Sequence, residues 1–155
     1  MYLSEVHIEN YRLLKNVDVV LDQSLTLVVG KNNTGKTSIM QLMKNILSGS
    51  KELSFDDYPL ECRQIFYHQL FKLWNEEISE DDFFKSIPKT MIRFSIDYSS
   101  LSDEQSFGSL GEFIIDTDET LSIAIIEAIY EPIMISDKYR KIRDRFDSIK
   151  KAEEK

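Results

Sequence analysis

With 155 residues, 42% of them hydrophobic and 30% charged, the chain has the make-up of a single globular domain able to bury roughly 70% of its unfolded surface. A net charge of −8, from 27 acidic and 19 basic residues, argues against gripping nucleic acid by bulk electrostatics. The lone Cys62 excludes an internal disulfide and a cysteine-rich metal site. No apolar run approaches the ~20 residues of a membrane span, and the first residues lack the basic and apolar pattern of a signal peptide, so a cytoplasmic setting without a membrane is expected.

The chain opens with two alternating stretches that predict strands. Tyr2, Val6 and Ile8 alternate with Leu3, Glu5, His7 and Glu9, and Val17, Val19 and Leu21 alternate with Asp18, Val20 and Asp22. The connection between them is Asn10-Tyr11-Arg12-Leu13-Leu14-Lys15-Asn16. His7 reads as a strand spacer, since the chain has only one other histidine, His68, to build a metal site with. A third, buried strand is expected at Leu25-Thr26-Leu27-Val28-Val29, feeding directly into Gly30-Lys31-Asn32-Asn33-Thr34-Gly35-Lys36-Thr37-Ser38. That run has the G-x-x-x-x-G-K-T spacing of a phosphate-binding loop. Successive main-chain N–H groups in such a loop point at the β-phosphate, and the positive end of the following helix faces the same oxygens. Gly30 and Gly35 let backbone and phosphate approach closely. Lys36 is placed to reach β- and γ-oxygens, and the Thr37 hydroxyl is the expected Mg²⁺ ligand. Asn32 and Asn33 either present backbone N–H groups to phosphate or cap the turn through their side chains. Ile39, Leu42, Met43, Ile46 and Leu47 then recur with helical spacing, and Gly49 supplies the stop, so a helix from Lys36 to Leu47 should pack one apolar face on a sheet.

The order I-E-N-Y-R, then V-D-V-V-L, then L-T-L-V-V-G-K-N-N-T-G-K-T-S resembles the N-terminus of the SMC/RecF-like branch of ABC-type ATPases. The Asn32-Asn33 pair inside the loop most resembles the OLD (overcoming lysogenization defect) family. The resemblance covers about the first 48 residues closely and the rest only in layout. It implies an α/β P-loop NTPase fold, an ABC-type N-terminal lobe with a mixed sheet and flanking helices, and ATP as the nucleotide. It also implies that Arg12 lies near the bound phosphates, whereas the residues alone read it equally as a solvated loop cation. In that family the other half of the ATPase, and often a Toprim nuclease domain, follows much later in the chain, and the work is DNA processing or phage defence.

Beyond the loop helix the sequence carries no further phosphate chemistry. Ser54, Asp56 and Asp57 with Pro59 suggest a helix start, and Leu60, Ile65, Phe66, Leu70, Leu73 and Trp74 follow at mostly helical spacing; both acids read as capping groups. Ser79 through Asp82 predicts a second, short helix that Pro88 bounds. Ile92, Phe94, Ile96 and Tyr98 share one face of an expected strand, and residues 121–130 should form another, apolar on both faces and ended by Pro132. Between them a helix is expected from the Ser102-x-x-Gln105 box through Phe107, Leu110 and Ile114. Tyr139, Ile142, Phe146 and Ile149 mark a final helix, the most basic region, where DNA contact is conceivable. These segments divide into a P-loop lobe over residues 1–135 and a helical tail over residues 136–155 that either packs on the sheet or begins a longer region.

Phosphoryl transfer needs held phosphate, metal, an oriented water and a charge for the transition state. Asp116-Thr117-Asp118-Glu119 follows too short an apolar run, with its acids separated, to read as the metal-holding Walker B strand. Glu127 lies on a better strand but lacks the preceding aspartate, leaving it the one weak candidate for a catalytic base. Neither Ser109-Leu110-Gly111-Glu112 nor Leu47-Ser48-Gly49-Ser50 is the signature that reads γ-phosphate from a second ATPase subunit. The expectation is therefore ATP·Mg²⁺ binding with weak or no turnover alone, the missing motifs coming from a C-terminal half or a dimer partner. A self-sufficient small NTPase or kinase, and an assembly subunit with a vestigial loop, are the two alternatives.

Overall fold

The computed structural model describes residues 1–49, 53–101, 108, 122–132, 141 and 143–145. The helix expected after Ser102 and the Asp116 turn fall outside these residues. So does most of the C-terminal helix, of which residues 141 and 143–145 are helical.

Strands β1 (Tyr2–Tyr11) and β2 (Leu14–Val20) form a hairpin whose last pair, Tyr11 with Leu14, encloses the two-residue turn Arg12-Leu13. Strand β3 (Thr90–Asp97) pairs with the other edge of β1, and β4 (Ile123–Tyr130) with β3, giving a four-stranded sheet in the order β2-β1-β3-β4. Every pairing in it is antiparallel. Helices α1 (Lys36–Leu47), α2 (Leu60–Trp74) and α3 (Glu80–Ser86) complete the described elements, with a short 3₁₀ turn at Phe55–Asp57.

One sheet face is the core. Val6, Ile8, Tyr11, Leu14 and Ile92 are buried together with Leu42 of α1, and Ile39, Met43 and Ile46 pack around them, so the helical stripe read from the sequence does meet the sheet. A register shift between Leu3 and Glu5 breaks the alternation of β1, so Leu3 rather than Tyr2 packs on this core. A second cluster joins Leu73 of α2 to Phe83 and Ile87 at α3, with Phe66 and Leu70 beside them. Ser79 caps α3 as expected, its hydroxyl accepting the Asp82 N–H at 3.1 Å.

Two expectations need correction. The described sheet is antiparallel, not mixed, and residues 25–30 form no strand within it. Leu25, Leu27 and Val29 are 78%, 79% and 77% exposed, because no described strand lies beside them to complete a ladder or cover their side chains. Strand β4 likewise buries one face only. Ala124 is buried, whereas Ile123, Ile125 and Ile129 lie open on the other face.

Candidate nucleotide-binding site

The loop sits where residues 25–30 give way to α1. Residues 30–34 are exposed, with Asn32 and Asn33 in a turn and Thr34 in a bend. Asn33 takes a left-handed φ of 64°, a conformation asparagine tolerates better than most side chains. Gly35 is the N-cap of α1 with φ 94° and ψ 0°. A Cβ there would stand 2.8 Å from Leu14 Cδ2, so glycine is required by both backbone and space.

Lys36 folds back across the loop. Its ammonium donates to the Gly30 carbonyl at 2.6 Å, to the Lys31 carbonyl and to Thr34 Oγ1 at 3.3 Å, while Thr34 Oγ1 itself donates to the Lys31 carbonyl at 2.9 Å. The loop's acceptors are thereby drawn to one cation. Its donors are not: among the described residues, no main-chain N–H from Asn32 to Thr37 donates a hydrogen bond of ordinary geometry, and no side chain caps α1. Such a run of unpaired donors at a helix start, beside an ammonium, is what a polyphosphate requires. Among the described residues no side chain caps α1, whose N-cap is Gly35. Thr37 is exposed at the first turn of α1 and Ser38 is buried. Among the described residues no group of three or more acidic, histidine or cysteine side chains is arranged to hold a metal ion. Were Mg²⁺ to accompany a nucleotide here, the Thr37 hydroxyl would be the loop's side chain placed to hold it, which suits an ion that usually keeps few protein ligands.

Arg12 occupies the hairpin turn with φ 51°. The same turn lies close to the loop's end, since a Cβ added at Gly35 would stand 3.8 Å from Leu13 Cβ and 2.8 Å from Leu14 Cδ2. Arg12 Nε donates to Asp57 Oδ1 at 2.7 Å, its main-chain N–H donates to the Asp57 carbonyl at 2.5 Å, and its guanidinium carbon stands 5.3 Å from the Tyr11 ring centroid. The hydrogen bond to Asp57 raises the Arg12 pKa further above its ordinary value. For Asp57, burial pushes upward, but hydrogen bonds from Ser54 and Arg12 outweigh it and hold the carboxyl below the usual range. Sequence reasoning missed this partnership. Asp57 looked like a helix cap, which it also is through Ser54, and nothing local signals a partner 45 residues away.

Glu127 is not brought to the loop. It lies on the sheet face opposite α1, where its carboxylate accepts a 2.7 Å hydrogen bond from Arg93 Nε. Across that face Asp18, His7, Arg93 and Glu127 stand in register on successive strands, and His7 bridges Asp18 at 2.5 Å and Glu9 at 3.0 Å.

A family model described as AAA ATPase domain matches residues 1–155. The chain belongs to that AAA ATPase domain family. Over 108 residues it is 32% identical to a DNA replication and repair protein RecF from Clostridium kluyveri, covering 66% of this chain and 29% of that protein. The chain thus spans less than a third of that relative. No solved structure matches. An AAA ATPase domain is a P-loop nucleotide-binding domain, and the RecF likeness agrees with the SMC/RecF-type character of the N-terminal residues. No helix among the described residues of this ATPase domain is long and apolar enough to cross a membrane.

Proposed function

We propose that the chain binds ATP·Mg²⁺ as the N-terminal lobe of an ATPase head of the OLD, RecF and SMC-like kind, and that hydrolysis requires groups from a C-terminal half or a dimer partner. The main-chain N–H groups from Asn32 to Thr37, which make no hydrogen bond of ordinary geometry among the described residues, with the Lys36 ammonium beside them on the loop carbonyls, carry this reading. In it Gly30, Lys31, Asn32, Asn33, Thr34, Gly35, Lys36, Thr37 and Ser38 form the phosphate cradle, Thr37 Oγ1 is the protein's ligand to Mg²⁺, and Arg12 approaches the phosphates from the neighbouring turn. Bound Mg²⁺ would neutralise charge on the β- and γ-oxygens.

The need for further chain is supported by what the described lobe leaves open. Leu25, Leu27, Val28 and Val29 form an exposed apolar segment leading into the loop, and Met40, on the outer side of α1, is 69% exposed. Adjoining strands would cover both. Glu127, the carboxylate weighed as a base, lies on the sheet face away from α1. DNA processing or anti-phage defence is the setting this kind of ATPase suggests, with DNA reached only indirectly by so acidic a chain.

Equilibrium titration with ATP·Mg²⁺, alongside a turnover assay, tests the proposal. Wild type should bind ATP, Lys36→Ala should lose at least tenfold in affinity, and turnover should be slow or undetectable in both. Brisk hydrolysis by this chain would overturn the requirement for a second half, and absence of ATP binding would overturn the function.

A further inference from the structure

The Arg12 side chain is gripped at one end only. Asp57 takes Nε and the main-chain N–H, and the Tyr11 ring lies beneath the guanidinium, while among the described residues neither Nη group has a hydrogen-bond partner. Asp57 is itself fixed. Its second carboxylate oxygen accepts from Ser54 N at 2.9 Å and Ser54 Oγ at 3.0 Å, and its side chain is only 14% exposed. A guanidinium anchored through Nε by a rigid carboxylate presents its two Nη groups as a planar fork, the arrangement that takes two oxygens of one phosphate. The turn bearing it lies close to Gly35, the N-cap of α1: a Cβ added there would stand 3.8 Å from Leu13 Cβ and 2.8 Å from Leu14 Cδ2.

We infer that Asp57 is a positioning residue of the nucleotide site, holding Arg12 in its left-handed turn so that the Nη fork faces a phosphate of a nucleoside triphosphate in the loop. This rests on the nucleotide-binding reading above and adds a residue to it. A carboxylate near bound phosphates would ordinarily repel them, so a favourable contribution from Asp57 has to pass entirely through Arg12. That requirement separates positioning from ordinary turn stability.

The test is a mutant cycle in ATP·Mg²⁺ affinity, with thermal melts of each variant and Lys36→Ala as reference. Arg12→Ala should weaken ATP binding ~10-fold, the worth of a charge-assisted contact. Asp57→Asn should weaken it several-fold, by about a factor of 3 to 10 for a contact loosened rather than removed. In the Arg12→Ala background Asp57→Asn should add less than about twofold. Asp57→Glu, which keeps the charge, should recover part of the loss. Asp56→Asn, in the same turn but paired with Arg63, should change nothing. Equal losses from Asp57→Asn with and without Arg12, or no loss from it in wild type, would overturn the inference. Binding abolished by Lys36→Ala but untouched by Arg12→Ala would overturn the inference while leaving the nucleotide site standing. A wild-type chain that binds no ATP would overturn both.

Discussion

Gly35 concentrates most of what the loop demands of a single residue. A methyl group there meets Leu14 Cδ2 at 2.8 Å and forces a side chain onto φ 94°. Gly35→Ala should cost at least about 1–2 kcal/mol from the backbone alone, seen as a fall of several degrees in thermal midpoint. At Gly30 the nearest atom, Thr34 Oγ1, is 3.1 Å away on a side chain that can yield, so Gly30→Ala should be milder. The spacing of these glycines was legible in the sequence because the loop's geometry is local. The partners of His7 were not, because Asp18 faces it only once β1 and β2 pair. Hydrogen bonds with Glu9 and then Asp18 raise the His7 pKa above its ordinary value near 6.5, since they favour the charged ring. The folded state therefore binds this proton more tightly than the unfolded chain. The resulting stability is complete below the unfolded value and is lost as pH rises through the folded one. His7→Gln should remove the part of the drop in thermal midpoint between pH 6 and pH 8 that arises here.

Among the elements, α1 was read most fully from the sequence. A stripe of period 3.6 calls for burial against another element, here the sheet, and Leu42 at its centre has no exposed surface. Leu42→Ala should destabilise the fold by about 2–5 kcal/mol, measured by denaturant titration. Strands β1 and β2 followed from alternation, but the shift between Leu3 and Glu5 did not, since a bulge is decided by the partner strand. The segment over residues 25–30 has the composition of a buried strand and lies exposed outside the sheet. Composition reports what a segment can pair with, and pairing needs a neighbour that these residues lack within the described chain. Glu127 sits on a well-formed strand facing away from α1, where its bridge to Arg93 is about 40% exposed on each side, at 39% and 42%. Glu127→Gln should cost under about 1 kcal/mol in stability and leave nucleotide affinity unchanged.

At the scale of the whole molecule, an antiparallel sheet carries α1 on one face and a row of paired charges on the other. The phosphate loop stands at the edge of this half-layer, with an apolar segment on its open side. On the function proposed above, such an arrangement suits a lobe that presents a nucleotide to more protein. The central claim is that the amides of residues 30–37 meet the polyphosphate. Backbone amide NMR shifts recorded while ATP·Mg²⁺ is added to wild type and to Lys36→Ala test it directly. Large shifts confined to residues 30–38 and the Arg12 turn are expected in wild type and absent in the variant. Shifts elsewhere with a silent loop, or a loop response that survives loss of Lys36, would contradict it.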